Sequence, residues 1–229
     1  MTLARSEQEQ DRLQRSLNAL SALNLPIFLT DGGSTPVFQE WLAKAPQIRC
    51  CEPCRGLVSQ VRRSVTVAAA QADFVLYTEP DKLEFFLNEL PAFLMSLQTA
   101  DAPPADLIVL SRNQTAFHTF PAGQQVAERS FNDIASHILQ SAPGDLLYGP
   151  LCFRAELGRE LDTIPDDAGW GWRIHLYVRA RLAARQVSLH DGPYACPPEQ
   201  RGETDQASSL YRVQQLVQNL TALRQALQT

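Results

Sequence analysis

Gln71-Ala72-Asp73-Phe74-Val75-Leu76-Tyr77-Thr78-Glu79-Pro80-Asp81-Lys82 decides how the chain is read. Phe74 to Tyr77 is apolar without alternation, the pattern of a strand covered on both faces, and such strands belong to parallel sheets layered with helices. Pro80, which has no amide hydrogen to give a sheet, marks the stop, and two carboxylates, Glu79 and Asp81, flank it. Ligands of open α/β sheets bind where strands end. Hard divalent cations such as Mg2+ or Mn2+ take oxygen ligands and keep several waters, so two acids plus ligand phosphates suffice for a site. Acids also favour the positive end of a helix, so the spacing alone leaves both readings open.

The same rhythm repeats on either side. Upstream, Leu57, Val61, Val65 and Ala68 or Ala69 recur at helical spacing over residues 56–72, residues 47–51 read as a short strand, and residues 35–45 as a helix. Leu25-Pro26-Ile27-Phe28-Leu29-Thr30 is a strand cut off by Asp31-Gly32-Gly33-Ser34, and Leu13, Leu17, Leu20 and Leu23 place an amphipathic helix over residues 4–23. Downstream, a helix over residues 83–98 and an Ala-Pro linker lead to a second buried strand, Asp106-Leu107-Ile108-Val109-Leu110-Ser111. Then come a loop (112–123), a helix (126–140), a Gly/Pro-rich turn at Tyr148-Gly149-Pro150, a helix (170–184), a strand (186–189), a proline-rich stretch (191–198) and a closing helix (208–227). This alternation predicts a three-layer α/β/α fold with a mainly parallel central sheet, one domain over residues 1–229 whose halves are 1–111 and 112–229.

Composition narrows the function. With 229 residues, 45% of them apolar, the chain can bury a large core. No run of about 18 apolar residues and no signal sequence is seen, which predicts a cytoplasmic protein without an integral membrane segment. Five cysteines, an odd number, fit a reducing compartment. Cys50, Cys51 and Cys54 lack the second pair a zinc ribbon needs and are expected to be buried thiols. A net charge of −5 with scattered Lys and Arg argues against nucleic acid, yet leaves room for a small phosphorylated ligand. The chain has no P-loop, no Gly-x-Ser-x-Gly and no Gly-x-Gly-x-x-Gly, which removes the main support for an NTPase, a hydrolase or a dehydrogenase.

Asp31-Gly32-Gly33-Ser34 is a second candidate site. Its glycines let backbone N–H groups approach a ligand and Asp31 can accept hydrogen bonds from a base or ribose, although an ordinary strand-to-helix turn capped by Ser34 or Thr35 uses the same residues. Together with Arg55-Gly56-Leu57 and the 71–81 stretch, this turn resembles the nucleotide-binding half of the GT-A glycosyltransferases. In that superfamily an Asp-Gly-Ser turn holds the nucleoside and an Asp-x-Asp loop holds ribose and metal. Tyr148-Gly149-Pro150-Leu151 resembles the acceptor-side loop of the glucosyl-3-phosphoglycerate and mannosylglycerate synthases. Gly169-Trp170-Gly171-Trp172-Arg173 resembles their Gly-Trp-Gly-x-Asp or Gly-Tyr-Gly-x-Glu motif, and the resemblance spans roughly residues 13–195.

The resemblance implies a metal-dependent transferase moving a sugar from a nucleotide-sugar donor to a small-molecule acceptor. It places donor contacts on Asp31, Gly32, Gly33, Ser34, Arg55, Glu79 and Lys82, the Mg2+ or Mn2+ on Asp81, Glu79 and His190, and acceptor contacts on Tyr148, Gly149, Trp170, Trp172 and Arg173. Asp31 and Asp81 are expected to end neighbouring strands and face one crevice. The chain departs from the pattern in three respects. Glu79-Pro80-Asp81 replaces Asp-x-Asp. Arg173 stands where relatives carry an acid, which leaves Asp166 and Asp167 as the general-base candidates of an inverting route, while a retaining route needs none. A helix comes first, where GT-A chains begin with a strand lining the base. Arg201 or Lys82 would assist the departing diphosphate. The alternatives are a GT-A-like binding protein without turnover and a nucleotidyltransferase of similar fold. Leu210, Val213, Leu216, Val217, Leu220 and Leu223 give the closing helix a stripe broad enough to pack on the body or on a second copy, as in a homodimer.

Overall fold

The computed structural model describes residues 1–99, 104–142, 144–202 and 205–228. The chain is mixed α/β and forms two compact units, Met1–Pro104 with Arg154–Asp167, and Ala105–Phe153 with Ala168–Thr229. The expected division after Ser111 would cut through a strand, and the chain returns to the first unit after it has begun the second.

In the first unit α1 (Glu7–Ser21) starts where the Ser6 hydroxyl accepts from the Glu9 amide, and it buries Leu13, Leu17 and Leu20. The strands β1 (Ile27–Thr30) and β2 (Ile48–Cys51) pair in parallel around α2 (Pro36–Lys44), which Thr35 caps and which buries Phe38 and Leu42. Next come α3 (Leu57–Ala69), burying Val58, Val61 and Val65, and β3 (Phe74–Tyr77), with Val75 and Tyr77 buried. A π-helical turn (Phe85–Glu89) runs into α4 (Leu90–Thr99). The Ala-Pro linker that follows lies largely outside the described residues. A 3-10 segment (Ala155–Thr163) packs back on α3.

A helix is the first element, as expected, and before it Thr2 makes a single isolated bridge to Asp31 in parallel, its amide donating to Thr30 O (3.1 Å) and its carbonyl accepting from Gly32 N (2.9 Å). Extended chain thus precedes α1 and covers the edge of β1 that faces away from β2.

In the second unit β4 (Leu107–Arg112) is buried at every residue and lies between β5 (Leu151–Arg154), antiparallel to it, and β6 (Val187–Gly192), parallel to it. This sheet is therefore mixed. The sequence hid β5, a four-residue strand directly after Pro150. It also hid α5 (Gln114–Phe117), where a loop was expected. The remaining helices are α6 (Ala122–Leu139), α7 (Trp172–Leu182) and α8 (Gln206–Gln228). Of the α8 stripe only Leu223 is buried, beside Ala222 and Ala226, while Leu210, Val213 and Val217 are exposed. Among the described residues no helix is long and apolar enough to cross a membrane.

The cysteines are free, and Cys50 is exposed rather than buried, while Cys51 and Cys54 are half-buried. Burial pushes the Cys152 thiol up to about 12, so it stays protonated. Under native conditions near neutral pH, Cys50 is expected to be alkylated by a maleimide while Cys152 reacts only after denaturation, as read by peptide mass spectrometry.

Candidate functional site

In the first unit β1 delivers Asp31 to a turn that its own carboxylate builds. Oδ2 accepts from the amides of Gly33 (3.0 Å) and Ser34 (2.9 Å) and from Gln39 Nε2 (3.2 Å), while Oδ1 accepts from the hydroxyls of Thr2 (2.9 Å) and Ser34 (2.5 Å). Gly33, at φ +106°, occupies the region that residues with a side chain avoid. Burial pushes the Asp31 carboxyl up, but the hydrogen bonds from Ser34, Thr2 and Gly33 outweigh it and hold the group below the usual carboxylate range. A depressed carboxylate contributes stability that is present above its unfolded value, roughly 3.9, and lost as pH falls through its folded value. The melting temperature is therefore expected to hold between pH 7 and about 5 and to fall below about 4, with a smaller fall in Asp31→Asn.

The loop after β3 holds Glu79 and Asp81 partly buried, with Lys82 Nζ 3.6 Å from Glu79. The amino group of Met1 is buried beside them. Burial lowers it to about 6, and Glu79, Cys51, Asp31 and Asp81 each act against that shift. Asp31, Glu79 and Asp81 thus each lie near enough to Met1 to act on its amino group, although β1 is hydrogen-bonded to β2 and Thr2 rather than to β3. The expected adjacency of those two strands is corrected. Arg55 is exposed at the start of α3. Among the described residues no three His, Cys, Asp or Glu side chains come together as metal ligands. His190, half-buried on β6, belongs to the second unit. Burial lowers its pKa against the pull of Asp191, so the imidazole is neutral near pH 7.

Asp166 is fastened rather than poised. Arg62 donates from Nη1 to Asp166 (2.8 Å) and from Nε and Nη2 to the carbonyls of Leu161 (3.0 Å) and Ile164 (2.7 Å), and the Ser59 hydroxyl adds 3.3 Å. The hydrogen bond and charge of Arg62 hold Asp166 below the usual carboxylate range, opposite to what a general base at neutral pH requires. Asp167 beside it is exposed.

In the second unit the parallel strands β4 and β6 end together, Asn113 N donating to Gly192 O at 2.9 Å. Arg112, its side chain fully buried, forks onto Asp145 through Nε (2.5 Å) and Nη2 (3.0 Å) and reaches Glu128 (2.5 Å). Its guanidinium carbon lies 4.3 Å from the Phe120 ring centre, 4.8 Å from Phe117 and 5.9 Å from Tyr148. Tyr148 is buried and stacks on Tyr194 at 4.8 Å and 6°. Burial pushes Glu128 up and would push Asp145 up too, but Arg112 holds Asp145 below the usual range. No sequence signal pointed to this cluster, since Arg112 and Asp145 stand 33 residues apart.

Trp172 is 0% exposed and Arg173 6%, so both belong to the interior of this unit rather than to an open cleft wall. Trp170 is less enclosed. Its Nε1 donates to the Tyr211 hydroxyl (2.7 Å), its amide donates to Gln218 Oε1 (3.1 Å), and Arg173 lies 5.2 Å over its ring. A Cβ at Gly171 would meet Gln218 O at 2.5 Å and the Ala222 methyl at 2.7 Å, so in this chain the motif's second glycine admits α8. Arg201 Nε donates to Cys196 O (2.9 Å) and so fastens the proline-rich stretch.

No family model and no curated protein sequence matches the chain. Among solved structures it is similar to glucosyl-3-phosphoglycerate synthase from Mycobacterium tuberculosis. The complex of that protein with phosphoglyceric acid is 16% identical over 96% of this chain and 78% of that one, with a TM-score of 0.61. Its complex with Mn2+, uridine-diphosphate-glucose and phosphoglyceric acid is 15% identical over 97% and 77%, also at 0.61. Its complex with Mn2+, uridine diphosphate and phosphoglyceric acid is 16% identical over 97% and 76%, at 0.58. The chain has the fold of that synthase.

Proposed function

We propose that this chain is a divalent-cation-dependent glycosyltransferase that moves a sugar from a nucleotide-sugar donor to a small acceptor. The observation that carries the reading is that Asp31, in its glycine turn, and Glu79 and Asp81, after β3, all lie near enough to the Met1 amino group to act on it electrostatically, in a fold whose similar structures hold Mn2+, uridine-diphosphate-glucose and phosphoglyceric acid or glycerol 3-phosphate. The donor set suits Mg2+ or Mn2+. It is all oxygen, the ligand type that hard divalent cations take. Asp81 and Glu79 would hold the cation. A cation there neutralises charge on the departing diphosphate.

The chain's own residues divide the remaining work. Asp31, engaged within its turn, serves the donor by shaping the backbone of Gly32, Gly33 and Ser34. Lys82 and Arg55 offer positive charge to phosphate. Trp170, Tyr148 and Gly149 serve the acceptor, with Trp172 and Arg173 packed behind Trp170. Arg201 acts by holding the 193–198 stretch. With Asp166 committed to Arg62, only Asp167 is left as a base for inversion, and this favours retention. Cytoplasmic location is proposed from the free thiols, and a homodimer from the exposed stripe on α8.

Calorimetric titration of UDP-, GDP- and ADP-sugars with and without Mn2+ tests the reading. Mn2+-dependent binding with slow release of nucleoside diphosphate is expected, and Asp81→Asn is expected to weaken Mn2+-dependent binding about tenfold or more. Binding without turnover would instead establish the second reading, a GT-A-like binding protein, which the engaged Asp31 and the buried Arg173 favour.

A further inference from the structure

We infer that Arg112 and Asn132 are positioning residues for the acceptor, acting through the backbone of residues 145–149; this rests on the transferase reading above. Residues 145–147 belong to no helix or strand, yet all are buried, so their backbone groups need partners from elsewhere. Side chains supply them. Asp145 N donates to Ser111 Oγ (3.2 Å), Leu146 N to Asn132 Oδ1 (3.1 Å) and Leu147 N to Asp145 Oδ1 (3.1 Å). The Asp145 carboxylate is gripped in turn by the Arg112 amide (3.2 Å) and fork and by Asn132 Nδ2 (3.3 Å).

The location gives this arrangement its meaning. The segment is bonded to the carboxyl end of β4 at Ser111 and Arg112, which β6 pairs in parallel, and α/β sheets bind ligands at such strand ends. It carries Tyr148, whose ring is fixed between the Arg112 guanidinium and Tyr194, and Gly149, at φ +129°. The planar fork on Asp145 decides where Tyr148 and the Gly149 backbone stand. Arg112 itself, fully buried, touches no substrate and acts only through them.

The test is steady-state kinetics on the full chain with Mn2+ and UDP-glucose, measuring UDP release without acceptor and transfer to phosphoglyceric acid. Arg112→Lys keeps the charge and loses the fork, and Asn132→Ala removes the pin on Leu146 while sparing every charge. Each is expected to raise the KM for phosphoglyceric acid about tenfold or more and to move the KM for UDP-glucose less than about twofold, with circular dichroism confirming folding. If donor and acceptor parameters fall together, or the acceptor KM is unchanged in both variants, the inference is overturned and the segment is only structural. A wild type that releases UDP without responding to phosphoglyceric acid also overturns it. A wild type that releases no nucleoside diphosphate from UDP-, GDP- or ADP-glucose sinks the transferase reading instead, and this inference with it.

Discussion

Arg112→Met is expected to destabilise the protein by about 3–5 kcal/mol, because it leaves two buried carboxylates without their cation. Asp145 and Glu128 are both buried, and their shared partner is the Arg112 guanidinium, so neither finds water when it is gone. Burying an ion pair need not stabilise a fold, but removing one member leaves the desolvation cost of the other unopposed. The same logic predicts recovery. Adding Glu128→Gln and Asp145→Asn to Arg112→Met should restore part of the loss, since the neutral amides carry no uncompensated charge. Urea unfolding monitored by circular dichroism measures both. A loss under about 1 kcal/mol for the single variant would mean that solvent reaches the cluster.

Gly171→Ala should be the second large effect, about 3 kcal/mol, from overpacking rather than charge. The new methyl would press on the Gln218 carbonyl oxygen at 2.5 Å and on the Ala222 methyl at 2.7 Å. The first of these is backbone of α8 and cannot turn aside as a side-chain tip would. A drop in Tm of about 6–12 °C follows for a chain of this size. Gly123→Ala is the matched control. A Cβ there meets nothing within 4 Å in the first turn of α6, and a gain of up to about 1 kcal/mol is expected. Equal losses at both positions would show that backbone conformation, and not the approach of α8, sets the cost.

The parts of the fold that the sequence revealed are those whose signal is local. The apolar runs at residues 27–30, 74–77 and 107–110 became strands, and the leucines of α1 became its buried face, because neighbours a few residues apart carry that information. β5 was lost because four residues after a proline are too few to show a period. α7, expected over residues 170–184, is found at Trp172–Leu182, but because it is buried all round from Trp172 to Val178 its sequence could not tell which face meets the core.

The candidate site divides in the same way. Glu79 and Asp81 could be found from residue type and spacing alone. The engagement of Asp31 with Thr2, 29 residues away, and of Asp166 with Arg62, 104 residues away, could not, and both change what those carboxylates can do. The Arg112 cluster had no local trace at all, because each of its members comes from a different segment.

The return of residues 154–167 to the first unit has a consequence for biosynthesis. A chain emerging from the ribosome cannot complete its first unit until the 3-10 segment that covers α3 has been made, by which time β4, α6 and β5 are already outside. The two units must therefore mature over an overlapping interval rather than in succession. A nascent chain halted after residue 104 should leave the α3 surface bare, whereas one from which residues 154–167 have emerged should cover it.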